Sequence, residues 1–515
     1  MRVNILMDEW LPVYLKDGNP TRIRPYEITK NLKENPAVRI AFDRPDLDAT
    51  MVEFLIGVLQ TFYCPDERVA GGDWTYIYSK PPDPETLRSA FEPFTTYFNL
   101  LGGGFRFMQD RSICGDKKME EILHPGALLI DFDANQSHFS KRRIESLCLS
   151  CMSAVLYTLQ VRANTGGRGH MQNIRSGNAF TTLVKGDTLW ETCWLNVLGR
   201  SQVEKYGNAL ITNCTELFPW TKESVEGLTM RPEDASLLHC YWQMPRRVFL
   251  KSINHGTCML CHKEDMCVTE VISSSKGIKY AGGNWYHPLS PVIEKTEDDK
   301  TVFKLVEHKE YGTRYKHWLA LTRTEPAPCV AAATRRNQAR KLWAFGYVCR
   351  SKLALAWDEG EFPVFLGDEL ERNDMQEAVK KMVDMATKGA DLLQKCAGKA
   401  VALIAKGSKG KKFTDKAPFA TRFWEASEND FYRHVNRLKD VFSGQTDLNA
   451  IITDWGKRVN KHAIDIFDGL TAVADFNSET IRIVAEHRVM LIVGLKSLYT
   501  TRKEGKRGKT QVSGK

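Results

Sequence analysis

From about residue 373 onward, apolar residues recur at helical spacing with no strand-like alternation between them. Met375, Ala378, Val379, Met382, Ala386, Leu393 and Ala400 mark a first amphipathic helix, and Phe431, Val435, Leu438 and Phe442 a second. Ile452, Trp455, Val459, Ala463, Ile466 and Leu470 mark a third, and Ile481, Val484, Leu491, Leu495 and Leu498 a fourth. An amphipathic helix must bury its apolar stripe, and four in succession do so most simply against one another. The pattern therefore predicts a C-terminal four-helix bundle over residues 369–502. The segment from Lys406 to Pro418 carries five lysines and reads as a linker inside it, and residues 503–515 read as a disordered basic tail.

Residues 1–368 mix helix and strand signals, so the expected fold class is α+β: a mixed N-terminal domain followed by the bundle. Met51, Phe54, Leu55, Val58, Leu59 and Phe62 have the spacing of a buried helix that closes at Cys64-Pro65. Glu85 to Leu101 reads as an aromatic-rich helix ended by Gly102-Gly103-Gly104. Ile144 to Leu159 reads as another buried helix, with apolar residues at 144, 147, 148, 151, 152, 155, 156 and 159. Beyond Thr188, whose Thr-x-x-Glu pattern with Glu191 is a capping box, short strand-like runs such as Arg247–Leu250 and Val302–Val306 alternate with turns. The expected location is the cytoplasm, with no membrane contact. No stretch nears the ~18 consecutive apolar residues of a spanning helix, and acidic residues stand where a signal peptide needs an apolar run. Thirteen cysteines, odd in number and scattered, do not resemble a secreted disulfide framework.

Two local patterns carry chemistry. The helix from Ile144 breaks into Asn164-Thr165-Gly166-Gly167-Arg168-Gly169. Glycines without Cβ let a backbone approach a ligand surface, and Arg168 supplies a cation there. Read locally, the same residues also suit a plain surface connection. The second pattern is Cys258-Met259-Leu260-Cys261, whose spacing lets two thiolates share one zinc. Cys267 is a candidate third ligand, with His262, His255 and Cys240 as alternatives, and no second CxxC completes the set in this reading. Zinc here would be structural; the bland alternative is a pair of reduced thiols in a loop. No Walker A loop, HExxH or GxSxG is present. The net charge of +9 permits polyanion binding, and basic clusters at Lys141–Arg143, Arg246-Arg247, Arg335-Arg336 with Arg340-Lys341, Lys409–Lys412 and Arg502–Lys509 suggest an extended phosphate-binding surface.

The ordered set of short motifs resembles the CasA family, large subunits of the type I-E CRISPR surveillance complex Cascade. The residues that carry it are Asn4–Val13, Phe107-Met108-Gln109, Arg175-Ser176-Gly177, Phe180–Gly186, Trp194–Leu198, the CxxC, Trp285–Pro291, Gly346-Tyr347 and Phe431-Tyr432-Arg433. The resemblance implies a non-enzymatic subunit that recognises a protospacer-adjacent motif (PAM) in double-stranded DNA, helps open the duplex for R-loop formation and recruits a helicase-nuclease for antiviral interference. Its implied partners are target DNA, the CRISPR RNA-containing Cascade subunits and that nuclease. No cofactor is required; a structural zinc is compatible with it.

Carried over residue by residue, the glycine loop falls on Thr165, Gly166, Gly167, Arg168 and Gly169, with Arg168 where some relatives have a further glycine. A lysine finger falls on Lys276. A wedge at the first base pair falls on Ser351 and Lys352, where relatives often have an amide and a small or apolar residue. A loop contacting the complex near the guide falls on Phe132 and Asn135. The implied reading is from the minor groove, where the base-edge pattern is degenerate. The competing reading is a zinc-dependent enzyme acting on nucleic acid, centred on Cys258 and Cys261, which needs an open coordination position and a nearby base.

Overall fold

The computed structural model describes the chain apart from residues 1–2, 116–120, 131–143, 166–168, 207–212, 283–284, 298–299, 309–314, 319–320, 323–325, 351–352, 365–368, 408–418, 443–446, 473–477 and 500–515. It falls into two compact units, Met1–Thr313 with Ala320–Leu366, and Arg314–Leu319 with Gly367–Lys515.

The first unit is built on two packed helices. Pro45–Phe62 is buried almost throughout, as its apolar spacing predicts. Leu149–Arg162 crosses it with every residue buried. Phe54 of the first helix meets Tyr157 of the second edge-to-face at 5.3 Å, an arrangement favoured by the ring quadrupoles. Phe98, Phe107, Phe218, Trp220 and Trp242 extend this aromatic core. Among the described residues, three antiparallel sheets have three or more strands. One has the strand order Pro20–Ile23, Leu11–Leu15, Ala37–Ile40. A second has Thr181–Val184 beside the hairpin Lys341–Arg350/Leu353–Pro363. The third is the long hairpin Arg247–Thr257/Glu264–Ser274, whose second strand also pairs with Glu121–Leu123 and Leu147–Cys148.

Two boundaries differ from the sequence reading. The helix expected over Glu85–Leu101 ends at Phe91, gives a 3-10 turn over Glu92–Tyr97 and then a strand, Asn99–Leu101, paired with Val3–Asn4. Pro93 explains the break: it has no N–H to donate, and its ring meets the carbonyl four residues back. The helix expected from Ile144 begins at Leu149, because Leu147 and Cys148 are taken into the sheet opposite Val268 and Cys267.

The second unit consists of helices Glu369–Gly407, Phe419–Phe442, Leu448–Thr471 and Ser478–Lys496, joined by the 3-10 turn Tyr315–His317. All seven predicted positions of the first helix are buried. In the third helix the deepest stripe is Ile451, Trp455, Val459, Ala463 and Phe467, so two of its positions sit one residue away from the predicted ones. The fourth helix buries Leu491 and Leu495 but leaves Ile481 exposed. Tyr315, distant in sequence, is fully buried in this unit, stacked on Phe431 at 4.0 Å and hydrogen-bonded to Ser427 at 2.9 Å.

Candidate nucleic-acid interface and cysteine centre

The glycine loop is tied down at its base. Arg162, the last residue of its helix, and Arg175, just beyond the loop, converge on Glu53 of Pro45–Phe62. Arg162 Nη2 donates to Glu53 Oε2 at 2.7 Å, and Arg175 Nη2 lies 2.8 Å from Oε1. All three side chains are at most 5% exposed, so the pairing replaces lost hydration rather than decorating a surface. Both guanidinia also donate to Thr181 Oγ1. Burial, and then the neighbouring Arg175, pull Arg162 down to about 10. His287, buried 3.8 Å from Glu53, is held well below the usual imidazole range by burial and by the two arginines. Above the network, Asn173 N–H and its side-chain amide both donate to Ala163 O at 2.8 Å, closing the loop's neck.

The glycine loop and the lysine loop are joined. Lys276 N–H donates to Gly169 O at 2.7 Å, and Lys276 O accepts from Gly227 N at 2.7 Å. Gly169 has φ +76°, and a Cβ there would lie 2.8 Å from Ser275 Cβ, so a side chain is excluded by conformation and by space. Gly277 follows with its α-carbon against Pro245 O, where a Cβ would lie at 2.1 Å. Lys276 itself takes φ +62°, an uncommon conformation for a non-glycine residue. Its side chain is 60% exposed, and its ammonium lies 3.3 Å from Glu226 Oε1. At the other end of the loop, Asn164 packs against Gly177, and Cys349 N–H, near the end of the Lys341–Arg350 strand, donates to Asn178 Oδ1 at 2.6 Å. The glycine-loop segment thus adjoins the lysine loop at one end and the strand Lys341–Arg350 at the other.

Of the DNA- and guide-contact residues expected from the sequence, Thr165, Gly169 and Lys276 are described; Thr165 Oγ1 donates to Gln172 Oε1 at 2.9 Å. Gly166, Gly167, Arg168, Ser351, Lys352, Phe132 and Asn135 lie outside the described residues. The basic clusters fare unevenly. Arg247 is 3% exposed and paired with Asp110 at 2.7 Å, so it is no phosphate contact. Arg246 turns inward, donating to Asn164 O, and burial draws it down to about 10. Arg336 covers the Trp74 ring at 4.3 Å. Lys141–Arg143, Lys409–Lys412 and Arg502–Lys509 lie outside the described residues.

The cysteine centre corrects the sequence reading. A second CxxC exists: Cys148-Leu149-Ser150-Cys151, at the start of Leu149–Arg162, faces Cys258 and Cys261, and the four sulfurs all lie within 4.8 Å of one another. Cys148 Sγ is 3.7 Å from Cys261 Sγ. Four sulfurs at ~2.3 Å from one zinc in a tetrahedron would stand about 3.8 Å apart, so the set fits that ion. Cys267 is not a member. Although its backbone pairs with Cys148, its thiol donates to Gly256 O at 3.3 Å. His255 lies 4.0 Å from Glu264, and Cys240 donates to Tyr286 O, so neither joins the set. Hydrogen bonds from Cys148 and Cys151 pull the Cys258 thiol far down, and one from Cys151 brings Cys261 down to about 6. The turn is held by Cys258 N–H to Lys263 O and Met259 N–H to Ser146 O, both 2.9 Å.

These features define a large α+β protein with a four-cysteine metal-type centre in its first unit and a helical second unit. The family model described as CRISPR-associated protein Cse1 matches residues 4–466, and the chain belongs to that family. Among solved structures it is similar to Thermobifida fusca Cse1, with a TM-score of 0.73 at 15% identity over 97% of this chain and 98% of that one. It is also similar to Thermus thermophilus CasA, with a TM-score of 0.70 at 16% identity over 96% and 99%. A chain of a structure described as a CRISPR RNA-guided surveillance complex matches with a TM-score of 0.67 at 14% identity over 95% and 99%. The α+β fold with a helical C-terminal region expected from the sequence is the fold of these relatives.

Proposed function

We propose that this chain is the DNA-motif-recognising subunit of a CRISPR RNA-guided surveillance complex. Family membership and the similarity to a chain of such a complex support the assembly. The observation that carries the recognition role is the Lys276 N–H to Gly169 O bond, which fixes an exposed ammonium to a glycine-lined backbone. A single cation and a close backbone suit a groove whose edges offer neutral acceptors. Ser351 and Lys352, which follow the strand Lys341–Arg350 in sequence, are the wedge in this reading. Its role is to assist the first unstacking step, which costs a few kcal/mol, before guide pairing continues the near-balanced strand exchange. Phe132 and Asn135 contact the complex near the guide, and the opened complex recruits a separate helicase-nuclease. The chain acts in the cytoplasm without a catalytic site of its own.

The cysteine centre holds a structural zinc in this reading. Four thiolates fill a tetrahedral shell and leave no position for a substrate or water, which supports a structural role over a zinc enzyme. When bound, the ion cross-links the helix start at Cys148 to the hairpin turn at Cys258, and that hairpin ends at Ser274, beside the lysine loop.

The test is duplex binding by the complex assembled with and without this chain, on a duplex carrying a motif selected from a randomised library and on its scrambled counterpart. Motif preference that needs the chain supports the role. Equal preference without it overturns the role.

A further inference from the structure

We propose that Glu226 is a specificity-determining residue: a charge filter that turns the Lys276 ammonium away from phosphates and toward neutral base-edge acceptors. The proposal rests on the reading of Lys276 as a groove contact. Glu226 is one-third exposed and bridges two cations, with Oε1 at 3.3 Å from Lys276 Nζ and Oε2 at 3.1 Å from Arg247 Nη1. Arg247 is buried and anchors the arrangement. Its Nε pairs with Asp110 at 2.7 Å, and its Nη1 donates to Ser275 O, the carbonyl just before Lys276. Gly227 N–H donates to Lys276 O, so the carboxylate and the lysine are held by adjacent backbone as well as by charge. The four side chains carry two positive and two negative charges, and the cluster is balanced as it stands.

That balance has a consequence for what the ammonium can bind. A phosphate oxygen approaching Lys276 brings a full negative charge beside the Glu226 carboxylate and is repelled. A minor-groove acceptor such as adenine N3 or thymine O2 is neutral and is not. Most DNA-binding lysines contact phosphate without reading sequence. A carboxylate this close to the ammonium works against that default. An exposed pair of this kind shifts an equilibrium by a few-fold.

The experiment uses the assembled complex and two duplexes, one carrying the motif selected by the wild-type complex from a randomised library and one with that motif scrambled. For Glu226→Gln, scrambled-duplex affinity is expected to rise about two- to five-fold. Its log–log salt dependence should steepen by roughly 0.9, the signature of one added phosphate contact. Motif-duplex affinity should change by less than about twofold, so the preference falls. Glu226→Asp, which keeps the charge, should hold the wild-type salt slope. In a Lys276→Met background Glu226→Gln should have no further effect. Unchanged scrambled-duplex binding in Glu226→Gln, equal changes on both duplexes, or a Glu226→Asp variant that behaves like Glu226→Gln overturns the filter. Lys276→Met separates the two claims. If it leaves motif preference intact, the reading of Lys276 fails; if it lowers preference while Glu226→Gln does not, only the filter fails.

Discussion

Replacing Glu53 by Gln tests whether the buried ion network holds the neck of the glycine loop. The substitution keeps the side chain's volume and one oxygen but removes the charge facing Arg162 and Arg175, which are 5% and 1% exposed. Two guanidinia are then left in a site without a counter-charge, and breaking a buried pair in this way costs about 3–5 kcal/mol. Retention of one acceptor places the expected loss near the low end, about 3 kcal/mol. For a large domain roughly 2 °C of midpoint accompanies each kcal/mol, so calorimetry of the full chain should show a drop of about 6 °C in the transition of the first unit. The arginines flank the loop, so hydrogen exchange at the Asn173 amide, which donates to Ala163 O, should accelerate under native conditions. A midpoint shift below about 2 °C together with wild-type exchange at Asn173 would refute the reasoning.

The other predictions concern the cysteine centre, a half-buried acid and the loop junction. Metal analysis of the purified chain should find one zinc per molecule in wild type and in Cys267→Ser. The content should fall sharply in Cys148→Ser and Cys258→Ser; loss in Cys267→Ser with retention in Cys148→Ser would reverse the ligand assignment. Burial raises Asp48 to about 7, above its unfolded value, so the stability it contributes is full below about pH 4 and lost as pH rises through 7. Asp48→Asn should therefore be more stable than wild type at pH 8, by on the order of 1–3 kcal/mol, and equal to it near pH 4. Urea midpoints across that range check this, and identical pH profiles count against it. The depressed His287 acts in the opposite sense, costing stability as pH falls below about 6.5, which is why the variant-minus-wild-type difference is the quantity to plot. Gly169→Ala forces a strained φ and a contact with Ser275, which should part the glycine and lysine loops. A stability loss of about 1–2 kcal/mol with a larger loss of motif binding is expected, and wild-type motif binding would argue against the junction.

The helical periodicity from Met375 to Ala400 is readable because each buried position sits on one stripe, with nothing competing for it. The end of the fourth helix is equally clear, but Ile481 satisfies the same spacing while staying exposed. Periodicity identifies a helix and its apolar positions without saying how far a neighbour covers them. Cys148 and Cys151 escape notice as ligands for a related reason. At i and i+3 beside Leu147 and Met152 they look like part of an apolar helix face, and a thiol packs as a small hydrophobe. The CxxC spacing itself is the signal that would have found them. Pro93 is the visible stop within Glu85–Leu101, outweighed there by the aromatic spacing. Glu53 and Glu226 carry no local signal at all. Each matters through cations more than 20 residues away in sequence, Arg162 and Arg175 for the one, Arg247 and Lys276 for the other, and only folding brings them together. The position and chain-stopping chemistry of the glycine loop are legible in its residues. The bond from Lys276 to Gly169 that makes it half of a two-loop unit is tertiary.

The central claim is that Lys276, mounted on the glycine loop, reads a DNA motif. The most direct measurement is selection from a duplex library randomised at the motif, using complexes assembled with wild-type chain and with Lys276→Ala, with binding to a scrambled duplex measured in parallel. The account predicts a defined enriched motif for wild type and a flattened profile for the variant, with scrambled-duplex affinity within about threefold. An identical enriched motif from both complexes, or equal losses on motif and scrambled duplexes, would contradict it.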